Sequence, residues 1–477
     1  MTASLRVTAT SLGLLWALLW PAVVSAQDWQ AAGDALLARY SVMGAAVVVI
    51  ADGTIEQSLV FGDAVSAPRR PVTEHTLFQA GSVSKPVASW ALLRLVQEGR
   101  LQLDVPVSTY LTRWALPASG FATDQVTVRR LLSHTAGLRL GGYLGFHPDL
   151  PRPDLPASLD GATNGSGPVV QTSAPGVQFD YSGGGYTLLQ LLVEEVTGQT
   201  FADYIDAAVL GPLGMQQSSY APTAAQLALA ADPHDRAGTA LPAYRFTALA
   251  AAGLYTTATD LARFALANMT TNPVLSPATR ALQQQPVRLV DGTAPTGLGW
   301  FVYESGLIGH SGSNLGWKAD LWLRPAQGDG LVILTNSESG AEFAEDLTCQ
   351  WASANAVVAL HERCALRTEQ SAGLDTIRQV LLVLTGLATV ALLLRIVFGS
   401  RLRWPSGIWG RLAVALLLLL AVAVAGFMWT TVGANLVSGR NLPMATVNFI
   451  PYRMAESMPL LVALVVLAAA HIGLRRL

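Results

Sequence analysis

Three long apolar runs near the C-terminal end constrain this chain more than any other feature. They are VLLVLTGLATVALLL at 380–394, LAVALLLLLAVAVAGFMWTTV at 412–432 and MPLLVALVVLAAAHIGL at 458–474. A helix of about 20 apolar residues can cross a membrane. The second run is long enough unaided, the third is marginal, and the first needs Arg378 and Arg395 to extend toward the headgroups. Buried core helices are the alternative interpretation. We predict a membrane region at 377–477 with transmembrane helices at about 377–398, 412–432 and 458–474.

The overall composition agrees with this division of the chain. Of the 477 residues, 51% are hydrophobic and only 13% are charged, which is too apolar for an ordinary soluble protein of this size. The formal net charge of -2 gives no basic surplus, so we expect no nucleic-acid partner.

Residues 1–26 have the layout of a secretory signal peptide. Arg6 precedes the apolar run LGLLWALLWPAVV, and Val24-Ser25-Ala26 offers small residues for cleavage. We predict removal after Ala26, although an uncleaved anchor helix is the alternative. The expected location is the inner membrane of a bacterial-type cell, with the domain at 27–370 outside the cytoplasm.

The two cysteines, Cys349 and Cys364, both fall in the predicted exported part. A disulfide and two buried thiols fit the sequence about equally well. No further Cys or His ligands stand at the spacing of a zinc site, so we predict no metal.

The segment 27–370 has no obvious linker, repeat or low-complexity tract, which favours one two-lobed domain. Strand-like runs stand at both of its ends. The first is AAVVVIADGTIEQSLVFGDA, with the hairpin signal Asp52-Gly53, and the last are GLGWFVYE, ADLWLRP and GLVILTNS. Helical stretches occupy the middle. This order predicts an α+β fold in which strands from distant parts of the chain share one antiparallel sheet.

The stretch FQAGSVSKPVASWALL, at 78–93, contains a candidate nucleophile. Pro86 lacks a backbone N–H and is tolerated only in the first turn of a helix, so the helix must start near Ser82. Lys85 then lies one turn from Ser82 on the same face, at the positive end of the helix dipole. Ser82 could instead simply cap the helix beside a solvated lysine.

Two further segments place polar residues beside glycines. Tyr181 precedes three glycines, whose unobstructed backbone lets its side chain approach another group closely. The segment His310-Ser311-Gly312-Ser313 lies between two strands, where Gly312 would let a substrate lie along the strand edge and the Ser313 N–H could face an oxyanion. A core tyrosine and a polar turn are the alternatives.

In this order along the chain, the three segments resemble the serine β-lactamase and penicillin-binding-protein superfamily. The similar branch contains class C β-lactamases, related esterases and D-amino-acid peptidases. Further matches are LFQAGSVSKP, LLSHTAGL, GPLGM, AAGLYTTATDLARFA and LVILTNSESG, which together cover nearly all of 27–370 but not the apolar runs. The resemblance implies a β-lactamase/transpeptidase-like fold, with an antiparallel sheet flanked by helices plus a helical lobe, here followed by the transmembrane helical region.

The resemblance also implies catalytic roles. Ser82 would form an acyl-enzyme, and Lys85 and Tyr181 would share the transfer of its proton to the leaving group. Which of the two is the base stays open, because both have unperturbed pKa values near 10. The N–H groups of Ser82 and Ser313 would form the oxyanion hole. His134, in LLSHTAGL, is expected to be structural.

Two departures from the pattern concern the substrate. Gly183 stands where β-lactamases of this branch have the asparagine of Tyr-x-Asn, and His310 replaces the lysine of Lys-Thr-Gly. Together with Gly312, these positions are the predicted substrate-binding residues. The missing side-chain amide argues against antibiotic hydrolysis, while the acylation groups are intact.

These observations predict a membrane-anchored, exported serine hydrolase that needs no cofactor. Its substrate would be a small-molecule ester, or a peptide or amide containing a D-amino acid, and its other partner the lipid bilayer. The alternatives are a catalytically idle sensor or binding domain that signals through its spans, and a true β-lactamase. A small transporter is disfavoured, because the apolar runs contain no acidic residue.

Overall fold

The computed structural model describes residues 28–139, 141–162, 166–303 and 305–398. The strands are β1 (Gly44–Ala51), β2 (Thr54–Ser66), β3 (Arg69–Pro71), β4 (Phe78–Gln79), β5 (Leu138–Arg139), β6 (Val170–Gln171), β7 (Tyr255–Thr256), β8 (Arg288–Leu289), β9 (Gly292–Thr293), β10 (Phe301–Val302), β11 (Ile308–Asn314), β12 (Trp317–Arg324) and β13 (Asp329–Thr335). The helices are α1 (Trp29–Tyr40), α2 (Ser84–Gln97), α3 (Val128–Leu132), α4 (Leu155–Leu159), α5 (Gly183–Thr197), α6 (Phe201–Ile205), α7 (Ala224–Leu227), α8 (Leu249–Ala252), α9 (Ala258–Met269), α10 (Pro277–Gln283), α11 (Gly340–Ala354) and α12 (Val358–Phe398).

The main sheet has seven antiparallel strands in the order β10-β11-β12-β13-β1-β2-β3. Strands β1 and β13 join the two ends of the domain, with Val48 opposite Val332. Both strands are buried almost throughout, because helices cover both faces of the sheet. The predicted α+β fold, with one antiparallel sheet assembled from distant parts of the chain, is confirmed.

Side chains of β1 alternate between two hydrophobic cores, as the period of a strand requires. Val48 belongs to the larger core, which it shares with α2, α5 and α9 of the helical lobe. Val47 and Val49 belong to the smaller core, which they share with α1 and α11. The sheet is therefore the middle layer, and the predicted nucleophile lies at its junction with the helical lobe.

The helix after the predicted nucleophile begins as its proline requires. A 3-10 turn at Gly81–Val83 leads into α2, so Pro86 is the third residue of the helix and lies in its first turn. The helix ends at Gln97, and Gly99 follows with a left-handed φ of 73°. The predicted start of this helix near Ser82 is confirmed.

Helix α12 contains the first predicted transmembrane segment, 377–398. In the part of the chain that the structure describes, no helix has the length and apolarity needed to cross a membrane, so this span is not confirmed. The uncharged stretch between Arg378 and Arg395 has 16 residues (379 to 394), or about 24 Å of helix against a hydrocarbon core of about 30 Å. The signal at 1–26 and the spans at 412–432 and 458–474 lie outside the described residues.

A disulfide between Cys349 and Cys364 joins α11 to α12. Of the two alternatives that the sequence left open, a disulfide and two buried thiols, the structure therefore has the disulfide. Since Arg363 and Arg367 of α12 also pair with Glu345 and Asp346 of α11, the start of α12 packs as part of the same domain as the main sheet.

Candidate active site

Ser82 and Lys85 face each other at the start of α2. The Lys85 Nζ lies 3.0 Å from the Ser82 Oγ and donates a second hydrogen bond, 2.8 Å long, to the carbonyl of Ala251 in α8. Among the residues that the structure describes, no carboxylate pairs with the ammonium, and burial lowers the pKa of Lys85 to about 7. A lysine with that pKa is unprotonated in a large fraction of molecules near neutral pH, so it can accept the proton of Ser82.

Tyr181 approaches the same pair from the loop before α5. Its ring centroid lies 4.9 Å from the Lys85 Nζ, and its hydroxyl is buried without a hydrogen-bond partner in the described part of the chain. Burial raises the pKa of Tyr181, while the neighbouring Ser82 hydroxyl acts in the opposite direction. The phenol is therefore protonated at neutral pH, with a hydroxyl free to donate to a substrate.

The segment around Tyr181 is held by His134. The Ser182 N–H donates to the His134 Nδ1 at 3.0 Å, and the Asp180 N–H donates to the His134 carbonyl at 2.8 Å. Burial, with the nearby Lys85 charge as a second cause, lowers the pKa of His134 well below its usual value, so the imidazole is neutral. His134 thus has a structural role, in which it holds the backbone on both sides of Tyr181, the predicted catalytic tyrosine.

The oxyanion hole predicted from the sequence corresponds to a close contact between two backbones. A Cβ on Gly312 of β11 would collide with the Ala80 carbonyl and lie 3.0 Å from the Ser82 N. A Cβ on Gly81 would lie 2.5 Å from the Ser313 N. Glycine at both positions therefore lets β11 and the turn carrying Ser82 come together beside the cavity that Ser82 and Ser313 both line.

His310 lines the cavity beside Tyr181. Its Nδ1 lies 2.7 Å from the Ser311 carbonyl, which accepts a hydrogen bond from it, so the other ring nitrogen is unprotonated in the neutral ring. Burial, with the Lys85 charge as a second cause, lowers the pKa of His310 to about 3. At neutral pH this side chain thus carries no charge, unlike the lysine that it replaces.

Gly183 opens α5 and packs under a loop. Its N–H donates to the Gly141 carbonyl at 3.3 Å, and a Cβ would lie 3.2 Å from that oxygen and 3.3 Å from the Gly142 Cα. The loop backbone therefore closes over the position where relatives carry an asparagine side chain. Asn314 does not replace the missing donor, because its amide N–H groups donate to Gln79 and to the Ala252 carbonyl.

A second serine and lysine pair went unrecognised in the sequence. Lys318 of β12 is 6% exposed, and its Nζ donates to the Ser313 Oγ at 2.8 Å and to Glu338 at 2.7 Å. Lys318 therefore connects the Ser313 side chain to the carboxylate of Glu338 and holds the Ser313 hydroxyl in place. The signal was available, since Lys318 and Asp320 alternate with apolar residues in a strand.

The predicted catalytic groups line a cavity of about 670 Å³. It brings together the predicted residues Ser82, Lys85, Tyr181, Gly183, His310 and Ser313. Gly312 lies within the same strand, beneath this surface. Within the described ranges no group of three or more His, Cys, Asp or Glu residues could hold a metal ion. The arrangement therefore offers a nucleophile, a base, a proton donor and an oxyanion site built from the chain's own groups.

Comparisons with known proteins agree with this arrangement. A family model described as Beta-lactamase matches residues 29–356. Penicillin-binding protein 4 of Amycolatopsis lactamdurans is 32% identical over 345 residues, which cover 67% of this chain and 87% of that protein. Esterase EstB of Burkholderia gladioli is 34% identical over 200 residues, which cover 39% of this chain and 49%, about half, of the esterase.

Solved structures show the same fold. A penicillin-binding protein homologue from Pyrococcus abyssi, described as octameric, is 25% identical with a TM-score of 0.53, covering 64% of this chain and 72% of that one. D-alanine carboxypeptidase AmpC from Burkholderia cenocepacia is 23% identical with a TM-score of 0.52, and the match covers 66% of this chain and 95% of that one. Because the family match takes in 328 of the 477 residues (29 to 356), the chain belongs to the beta-lactamase family of serine hydrolases.

Proposed function

We propose that this protein hydrolyses an ester, or a peptide or amide containing a D-amino acid, through an acyl-enzyme at Ser82. The observation that carries the proposal is the 3.0 Å approach of the Lys85 Nζ to the Ser82 Oγ, in a site that lowers the pKa of Lys85 to about 7. An idle sensor domain would have no need of a buried lysine held against a serine, because burial of that lysine without a carboxylate is destabilising.

In the proposed acylation, the Ser82 Oγ attacks the substrate carbonyl carbon while Lys85 takes the hydroxyl proton. The N–H groups of Ser82 and Ser313 stabilise the oxyanion of the tetrahedral intermediate. The bond to the leaving group then breaks, and Tyr181 donates a proton to the departing oxygen or nitrogen and is reprotonated from Lys85. Water, deprotonated by the same groups, attacks the acyl-enzyme and releases the acid and free Ser82.

Of the two substrate classes, we place the ester first. The peptide amide of a substrate would gain from a side-chain amide at position 183, and Gly183 provides none. The relatives include both an esterase and penicillin-binding proteins, which supports keeping the peptide as the second candidate.

We also propose that the catalytic domain is exported and attached to the membrane through the C-terminal apolar runs. The disulfide between Cys349 and Cys364 supports an oxidising compartment. The run at 412–432 supports attachment, since it has the length of a transmembrane helix.

A fluorophosphonate probe on the full-length chain tests the acyl-enzyme. We expect labelling of the wild type at Ser82, loss of labelling and of ester hydrolysis in Ser82→Ala, and no change in Ser353→Ala, an exposed serine of α11. Absence of both labelling and ester or D-peptide hydrolysis in the folded wild type would favour the sensor alternative.

A further inference from the structure

The walls of the active-site cavity are largely aromatic. Besides His310, its lining includes six phenylalanine, tyrosine or tryptophan residues: Tyr143, Phe179, Tyr181, Phe301, Tyr303 and Trp322. The Phe301 ring lies nearly parallel to that of Tyr181, with 6.4 Å between centroids, and edge-on to Phe179 at 6.1 Å. Directly after β10, Tyr303 packs against Trp322 of β12, with 6.0 Å between ring centroids. The rings support one another, so an apolar surface already exists before a substrate binds.

The cations near this surface are neutralised by partners. Arg363 of α12 reaches the far end of the cavity, but its Nε donates to one oxygen of Glu345 at 2.7 Å and its Nη2 donates to the other. Lys318 lies behind Ser313 and is paired with Glu338. His310 is neutral, for the reasons given above. Apart from the catalytic Lys85, no lining residue in the described ranges therefore presents an unpaired positive charge.

These two features have a common consequence for substrate choice. An apolar group that enters the cavity leaves water for a surface of aromatic rings, which is favourable in proportion to its buried area. A carboxylate that enters the same space loses its hydration and gains no unpaired cation, which is strongly unfavourable. The cavity is also large enough, at about 670 Å³, for a group well beyond an acetyl.

We propose that the enzyme selects uncharged esters with an extended apolar acyl group and rejects analogues whose acyl group ends in a free carboxylate. This inference rests on the proposed function and narrows it, since it assigns the aromatic walls to the acyl group of the ester. It also separates this site from one built to hold a substrate carboxylate.

Three p-nitrophenyl esters test the inference on the full-length chain: acetate, hexanoate and the mono-ester of adipate. Hexanoate adds four methylenes to acetate, and adipate differs from hexanoate only by a carboxylate in place of the terminal methyl group. We expect kcat/KM for hexanoate to exceed that for acetate by roughly tenfold or more, since a buried methylene contributes about two- to fourfold. We expect kcat/KM for the adipate mono-ester to be about tenfold or more below that for hexanoate.

Two variants connect the preference to particular side chains. Phe301→Ala is expected to reduce the hexanoate-to-acetate ratio at least threefold, whereas Phe121→Ala, at a phenylalanine outside the cavity that is 39% exposed, leaves the ratio unchanged. His310→Lys introduces a cation into the cavity and is expected to reduce the ratio of kcat/KM for hexanoate to kcat/KM for adipate. If either variant fails to fold, the wild-type comparison still decides.

The outcomes separate the inference from the proposed function. If acetate is hydrolysed but hexanoate is no faster, or adipate matches hexanoate, the inference is overturned and the serine hydrolase stands. If none of the three esters is hydrolysed and the fluorophosphonate labels nothing, the inference falls together with the ester assignment.

Discussion

The imidazole of His134 packs against the ring of Tyr181, with 4.3 Å between ring centroids and 32° between ring planes. His134 also accepts hydrogen bonds from the residues on either side of Tyr181: its Nδ1 accepts from the Ser182 N–H, and its backbone carbonyl accepts from the Asp180 N–H. His134 itself has a left-handed φ of 58°, which few residues other than glycine adopt. The position of Tyr181, the proposed proton donor, therefore depends on a residue that does not need to touch the substrate.

His134→Ala is expected to lower kcat by roughly 10- to 100-fold while KM for p-nitrophenyl acetate changes little, because Tyr181 loses its support and the Ser182 N–H its acceptor. His134→Asn tolerates the left-handed backbone and keeps an acceptor, so it is expected to recover part of kcat. The two kinetic constants and the thermal midpoint are measured together. A loss of stability with normal kcat would contradict the positioning role.

The sequence was most informative where the chemistry depends on short segments. Ser82 and Lys85 lie within one turn, so a proline and a helical pattern sufficed to place them on one face. Tyr181 and His310 required the family resemblance, because more than 90 residues separate each of them from Ser82 and spacing alone cannot bring them together. The fold was predictable for a related reason, since short apolar runs at both ends of the domain, with helices between them, favour one shared antiparallel sheet.

The walls of the site could not be predicted in this way. Phe301, Trp322 and Arg363 come from β10, β12 and α12, and they share a cavity only because of strand order and of how α12 packs on α11. The same limit applies to Gly183. The sequence shows the missing asparagine but not the Gly141–Gly142 backbone that covers its place.

The pH dependence of the wild type tests whether Lys85 is the base. Since only the unprotonated amine can take the Ser82 proton, kcat/KM for p-nitrophenyl acetate is expected to rise with pH, with an apparent pKa of about 7, and to level off above it. A rise continuing to pH 10 would instead point to the Tyr181 phenolate as the base, since burial raises the pKa of that group.

Lys85 also links stability to pH. Its pKa falls from about 10.4 in the unfolded chain to about 7 in the fold, so between these values the unfolded state binds more protons and stability rises with pH. Below pH 7 the full cost of burying the ammonium is present. Lys85→Met is therefore expected to raise the free energy of unfolding by roughly 2 to 4 kcal/mol at pH 7, with the gain shrinking toward pH 10. Chemical denaturation at three pH values measures this, and a gain independent of pH would contradict the assigned cause.

Gly312→Ala tests the backbone contact that we propose forms the oxyanion hole. The added methyl group would meet the Ala80 carbonyl and the Ser82 N, so the turn must move away from β11. We expect kcat to fall by about 100-fold, comparable with the loss of one oxyanion donor, while the probe still reaches Ser82 more slowly. Gly306→Ala is the matched control, because nothing lies within 4 Å of a Cβ there, although its φ of 74° adds a small cost in stability. Equal kcat values for Gly312→Ala and Gly306→Ala would contradict the proposed oxyanion hole.

The disulfide allows a test of both stability and compartment. Replacing Cys349 and Cys364 by serine removes a link across a 15-residue separation, which is expected to cost about 2 to 4 kcal/mol of unfolding free energy. If the domain is exported, thiol labelling of the chain taken from cells under non-reducing conditions should find both cysteines blocked. Free thiols in the natively produced chain would contradict the proposed location.

Gly183→Asn tests whether the missing amide sets the substrate class. An asparagine could donate to a substrate's amide carbonyl, and a hydrogen bond of that kind contributes about 1 to 3 kcal/mol, or roughly one to two decades in rate. The backbone of Gly183 is not left-handed, so asparagine can adopt it, but its Cβ would lie 3.2 Å from the Gly141 carbonyl. The loop at Gly141–Gly142 must therefore move away by a few tenths of an ångström, and we expect this shift to reduce the rate of ester hydrolysis a few-fold.

Gly183→Ala separates these two effects, because it adds the same Cβ without the amide. We expect the wild type to hydrolyse short-chain p-nitrophenyl esters faster than a chromogenic cephalosporin, Gly183→Ala to lower both rates, and only Gly183→Asn to narrow the gap between them. The ratio of the two kcat/KM values is the quantity to measure, since a displaced loop affects both substrates. If the alanine and asparagine variants give the same ratio, or if the wild type already degrades the cephalosporin as fast as the esters, the glycine does not mark a different substrate class.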